Sequence, residues 1–178
     1  MCIRDSLDTD HSDYIALLQK VRALSGIKKV FVRSGIRYDY LLADKNDRFL
    51  DELCRYHVSG QLKVAPEHVA EHALANMGKP GKSVYLKFMR AFNKKNQEIG
   101  LKQFLVPYFI SSHPGCTLRD AVELSEFLRD IGHQPEQVQD FIPTPGSAST
   151  AMYYSGINPE TGKKVFVARL SLIHISEP

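Results

Sequence analysis

The chain has 178 residues, 43% of them hydrophobic and 24% charged, enough apolar material for one globular core of ordinary size. Lys and Arg outnumber Asp and Glu by 23 to 20, and the resulting formal charge of +3 is scattered instead of gathered into a stripe, so there is no nucleic-acid signal. There is no apolar run of membrane-spanning length and no secretory leader core, and the three cysteines, Cys2, Cys54 and Cys116, are too far apart for a disulfide framework or a C-x-x-C metal site; a cytoplasmic protein is expected.

The two ends encode each other. Back-translating Met1-Cys2-Ile3-Arg4-Asp5 into Ser6 gives a string whose reverse complement reads Leu-Ser-Leu-Ile-His-Ile, the sequence of residues 170–175. That inverted repeat is the pattern of a sequencing adapter translated at both edges. Residues 1–6 and 170–178 are therefore set aside as adapter-derived, and 7–169 is read as a portion of a longer protein.

Asp10 is placed to cap a first helix whose apolar positions Ile15, Leu18, Val21 and Leu24 keep a three-to-four spacing, with Gly26 as its stop. The run KKVFVRS follows as a strand. After GIRYD, Leu41, Leu42, Phe49, Leu50 and Leu53 mark a helical stretch, and VSGQLKVAP reads as a second strand bounded by Gly60 and Pro66. MGKPGKS closes one short helix and opens another over about 84–99, expected to bury Leu86, Met89 and Phe92 and to end at Gly100. FLVPYFIS is the third strand, in which Pro107 lacks a ladder donor and predicts a bulge or bend. Thr117 and Asp120 form a capping-box pattern at the start of the next helix, which Gly132 ends. QVQDFI is the fourth strand and runs into PTPGSAST.

Strands alternating with helices predict an α/β fold built around a parallel sheet. In such folds ligands lie at the carboxyl ends of the strands, which places Ser34, Arg37, Lys63, Glu67, His68, Ser111, Ser112, His113 and Thr144 on one rim. Lys63 alternates with Leu62 and Val64, and pattern alone leaves open whether it reaches a carboxylate such as Glu67, a ligand, or water from an edge strand. Glu67 and His68 leave the strand at a Pro-Glu-His corner that exposes both; a glutamate favoured at a helix start is the competing reading. His68, Glu71 and His72 also match H-x-x-E-H, the spacing of a zinc peptidase helix, against the plainer reading of a solvated helix start. Cys54 is expected in the core, and Cys116, beside a helix N-terminus, where a thiolate is favoured, is a reactive residue or a spectator. His57 and His133 read as polar caps near helix ends.

Taken in order, VFVRSGIRYDYLL, VSGQLKVAPEHV, MGKPGKSVYLKF, LVPYFISSHPGCTLRDAVELSEFL and QVQDFIPTPGSASTAMYYSG resemble the YgiQ-type radical SAM proteins, most specifically in LKVAPEH and PYFISSHPG. The resemblance implies a partial (β/α)6 TIM-like barrel, here roughly strands three to six with their helices. It also implies a 4Fe-4S cluster that binds and reductively cleaves S-adenosylmethionine to a 5'-deoxyadenosyl radical, supplied with electrons by a donor and acting on an unknown substrate. It assigns Lys63, Glu67 and His68 to the ribose and methionine side of the cofactor, and Ser111, Ser112 and His113 to cofactor or substrate. The backbone of Ile142 to Pro145 falls to the adenine, and Ser34 and Arg37 to the methionine carboxylate. The cluster loop C-x-x-x-C-x-x-C is absent from this chain, so its ligands are expected upstream and the chain alone is expected to be inactive. A zinc-dependent hydrolase using His68, Glu71 and His72, and a non-catalytic βα binding module, are the rival readings. An incomplete barrel also exposes a sheet edge, so the isolated chain is expected to aggregate.

Overall fold

A computed structural model describes residues 8–44, 47–132, 135 and 138–168. His133, the start of QVQDFI at Gln137 and both adapter-like ends lie outside the described residues. The helices are α1 (Ser12–Arg22), α2 (Tyr38–Ala43), α3 (Arg48–Glu52), α4 (Glu71–Met77), α5 (Lys82–Ile99), α6 (Leu118–Asp130) and α7 (Ala148–Ser155), with a π-helical turn at Leu53–His57. The strands β1 (Gln61–Glu67), β2 (Phe104–Ser111) and β3 (Gln139–Asp140) form one small sheet in the order β1-β2-β3. β2 and β3 are parallel, Ile110 facing Gln139 and Ser111 facing Asp140. The fold is thus mixed α/β with a small parallel sheet, and the four-stranded barrel segment expected from the sequence is reduced to three strands. No helix among the described residues is long and apolar enough to cross a membrane.

The chain divides into two units, Met1–Ala65 with Ser83–Val106, and Pro66–Lys82 with Pro107–Pro178. In the first, α1 presents Ile15 and Leu18 to a core that includes Phe49, Leu50, Leu53 and Cys54. Asp10 is not the cap expected: His11 holds that position without a side-chain cap bond, and Asp10, one residue earlier, accepts from the Ser12 N–H at 2.9 Å. Leu24 falls beyond the last helical turn and is exposed. In α5 the buried stripe is Tyr85, Phe88, Phe92 and Asn96, one step round from the Leu86–Met89 face expected. Large rings gain the most from burial, and Tyr38 packs against both Tyr85 and Phe88.

KKVFVRS forms no ladder strand. Val32 N–H donates to the His57 carbonyl at 2.9 Å, and the one pairing near it is a parallel bridge from Ile36 to Val64. The reason is the π turn: His57 is fully buried, its Nδ1 on the Val30 carbonyl at 2.8 Å and its Nε2 on Glu52 at 3.2 Å, so the segment is tied to a side chain and a turn instead of to a strand. His57 is therefore a buried tie, where the sequence suggested a cap. Gly35, at φ +79°, passes so close to the Lys63 carbonyl that a Cβ would sit 3.1 Å from it.

In the second unit, Val69, Ala73, Leu74, Phe109, Leu124, Phe127 and Met152 are buried. The capping box of α6 is present as expected, Thr117 Oγ1 accepting from Asp120 N–H and the Asp120 carboxylate accepting from Thr117 N–H at 2.7 Å. β2 runs from Phe104 to Ser111 through Pro107, the position where a bulge or bend was expected. Among its described residues, QVQDFI contributes the two residues of β3. α7 was not anticipated; Ser147 caps it and Gly156, in the left-handed region, ends it.

Candidate functional site

In the first unit, Arg37 places its guanidinium on both oxygens of Asp39 and over the Tyr40 ring, 4.5 Å from its centre. Its fork is occupied by a carboxylate two residues away. Ser34 is exposed and donates to the adjacent Gly35 carbonyl at 3.4 Å. Lys63 alternates outward from buried Leu62 and Val64 and is exposed, the edge-strand arrangement.

The remaining candidates lie in the second unit, where β1 and β2 end in the same unusual way. Glu67, the last residue of β1, has φ +67°, and Ser112, the residue after β2, has φ +58°; they are the two non-glycine residues with positive φ among those described. A left-handed residue with a Cβ costs about 1–2 kcal/mol, so both strands end on backbone held there by its surroundings. The Glu67 carboxylate gives one oxygen to Lys79 at 3.0 Å, while the other, Oε2, is buried with no hydrogen-bond partner. Asn96 Oδ1 and Gln103 Oε1, the other two such atoms among the described residues, belong to the first unit. A buried carboxylate oxygen left unmatched is an acceptor waiting for a donor.

Beside it in sequence, His68 is buried and its Nδ1 accepts from the Ala70 N–H at 3.0 Å, which fixes the proton on Nε2. His113, on the loop after β2, is held the opposite way. Its Nδ1 faces the Pro114 carbonyl at 2.8 Å and must carry the proton, leaving Nε2 to accept from the Ser149 hydroxyl at 2.8 Å. Burial lowers the pKa of both rings; Asp120 opposes the shift at His68, and the Pro114 carbonyl opposes it at His113. Two neutral imidazoles therefore stand at these strand ends, one offering an N–H and the other a lone pair. Ser111 and Ser112 both donate to Asp140 on β3, Ser112 at 3.4 Å. Thr144 is exposed, and its carbonyl accepts from Ser147 and Thr150 at the start of α7. Ile142 is exposed too.

The H-x-x-E-H residues are not on one helical face. α4 begins at Glu71, leaving His68 before it. Glu71 accepts from Lys82 N–H at 2.9 Å, and His72, largely exposed, pairs with Asp120 at 3.3 Å. No group of three metal-ligating side chains is assembled among the described residues. Burial pushes the Cys116 thiol up to about 12, the opposite of the thiolate its position suggested, and the buried Cys54 likewise to about 12. Lys79, Asp140 and Ser149 were missed in the sequence. Asp140 alone carried a signal, as the charged residue in an apolar strand pattern.

Residues 136–170 match a family model described as a domain of unknown function, DUF3362. The chain is 56% identical over 164 residues to a UPF0313 protein of Clostridium perfringens, covering 92% of this chain and 25% of that protein. It is 55% identical over 164 residues to a UPF0313 protein of Clostridium botulinum strain Loch Maree, again covering 92% and 25%. The chain thus spans about a quarter of the length of the curated relatives it matches.

Proposed function

We propose that this chain is part of a radical SAM enzyme and that its second unit contributes binding residues for S-adenosylmethionine. The observation that carries the reading is Glu67. A strand-end carboxylate on strained backbone, with one oxygen on Lys79 and the other buried and unmatched, suits a ligand bearing hydroxyl or ammonium donors, and S-adenosylmethionine bears both. His68 adds an Nε2–H donor next to it, and burial keeps that ring neutral. Ser111 and Ser112, aligned by Asp140, and His113 are the contacts proposed for cofactor or substrate on the following loop. When bound to a reduced cluster, the cofactor would supply the 5'-deoxyadenosyl radical; the residues here bind, orient and exclude water.

The cluster itself does not fit the described cysteines. Cys54 lies in the core of the first unit and Cys116 is held as a thiol, so cluster ligation is assigned to the rest of the whole protein. The test is on the full-length protein, purified without oxygen and reconstituted with iron and sulfide. The expected result is an iron–sulfur absorbance and release of 5'-deoxyadenosine from S-adenosylmethionine on reduction, with at least about tenfold weaker cofactor binding in Glu67→Ala. A protein that takes up no cluster, or that leaves S-adenosylmethionine intact when reduced, overturns the reading and leaves a binding module.

A further inference from the structure

We propose that Ser149 is a nucleophile, with His113 as its base, toward small carboxylic esters. The inference goes beyond the cofactor reading and needs neither cluster nor S-adenosylmethionine. Three features of the second unit carry it.

First, the hydroxyl and the base are in contact, Ser149 Oγ lying 2.8 Å from His113 Nε2. Second, a third group sets the base: the Pro114 carbonyl holds Nδ1–H at 2.8 Å, so the lone pair of a neutral ring faces the hydroxyl. A nucleophile, a base within hydrogen-bond reach and an orienting acceptor are the parts that activated serines require. Third, the ring cannot swing away. His113 is 5% exposed and packs edge-on against Phe141 at 5.1 Å, while Ser149 itself is only half-buried and so stays within reach of a ligand.

Ser149 is also the second residue of α7, where backbone N–H groups have no carbonyl one turn back within the helix to bond. The amides of Ala148 and Ser149 would serve as donors to the oxyanion that forms on the ester carbonyl oxygen when Oγ attacks. Phe141, with Tyr153 packed on it at 5.9 Å, gives the surroundings an aromatic wall that suits a small acyl group.

The step balances within these groups. Ser149 Oγ forms a bond to the ester carbonyl carbon as its proton passes to His113 Nε2. The carbon–oxygen bond to the alcohol then breaks, and the leaving oxygen takes the proton back from Nε2. The product is an acyl-serine and a free alcohol. Water, giving a proton to His113 Nε2, then attacks the acyl carbon; the carbon–Oγ bond breaks to release the carboxylic acid, and Oγ takes the proton back from Nε2.

The experiment is incubation of the full-length protein that contains this chain with p-nitrophenyl acetate, read as a burst of p-nitrophenol and as peptide mass. The expected result is an acetyl group on Ser149, absent in Ser149→Ala and formed at least about 100-fold more slowly in His113→Gln, which can still accept a hydrogen bond but is no base. Ser149→Cys supplies a second readout: a thiol against His113 should be alkylated by iodoacetamide at least about tenfold faster than the same cysteine in urea. Acetylation confined to lysines, or labelling of Ser149 that His113→Gln leaves unchanged, overturns the proposal. So does a cysteine at 149 that reacts no faster folded than unfolded.

Discussion

At the scale of single residues, the environment of each titratable group decides what it can do more than its identity does. Cys116 stands next to a helix start, yet burial outweighs the helix dipole and its thiol stays protonated. We expect neither Cys54 nor Cys116 to be alkylated at neutral pH in folded chain, and both to react after urea; peptide mass spectrometry reads the difference, and ready modification of Cys116 in the folded state would contradict it. The buried histidines set a pH dependence. His68 and His113 are depressed from an ordinary value of 6.5, so the unfolded chain binds protons more readily than the folded one as the pH drops below that value. Stability from both is fully present above pH 6.5 and is lost as the pH falls towards their folded values, a trend that urea midpoints measured between neutral and mildly acidic pH would expose.

At the scale of elements, α6 shows what local sequence can specify. Thr117 and Asp120 are three residues apart, both partners of the cap lie within one turn, and the motif formed as read. Thr117→Ala should cost about 1 kcal/mol, seen as a lower urea midpoint. Burial would raise the Asp120 carboxyl, but Thr117 and His72 outweigh it and hold it low, so this start of α6 should also fray as the pH drops through the carboxylate range. Where partners are distant, the sequence was less legible. KKVFVRS has strand composition, but its hydrogen bonding is decided by His57, more than twenty residues away, and nothing in the run announces that. The buried face of α5 was read one step off because Leu86 and Met89 share the helix with three rings that bury better. The site follows the same rule. Glu67, His68 and His113 were legible because they leave strands at Pro-containing corners. Lys79, Asp140 and Ser149 were not, because each matters only through a partner brought in by the fold.

At the scale of the whole molecule, large apolar side chains remain on the surface: Leu17, Leu24, Phe104, Leu118, Ile142 and Tyr154 are each more than half exposed. Scattered singly these would be unremarkable, but their number in a chain of this size favours association. The isolated chain is expected to show concentration-dependent mass in sedimentation and to bind a hydrophobic dye. A monomer of constant mass with one sharp melting transition would refute this. The relatives are about four times as long, which is the natural place to look for whatever covers these side chains.

The Ser-Ser-His-Pro-Gly loop is fastened by groups from far along the chain. Gly115 N–H donates to the Phe166 carbonyl at 2.7 Å, and Ser149 meets His113 at 2.8 Å. A chain leaving the ribosome makes its N-terminal parts first, so His113 is synthesised some fifty residues before the carbonyl that anchors its loop. The corner that holds both His113 and the left-handed Ser112 must therefore be among the last parts of the second unit to set, and truncations that stop short of Phe166 should leave it unformed however complete the strands beneath it are.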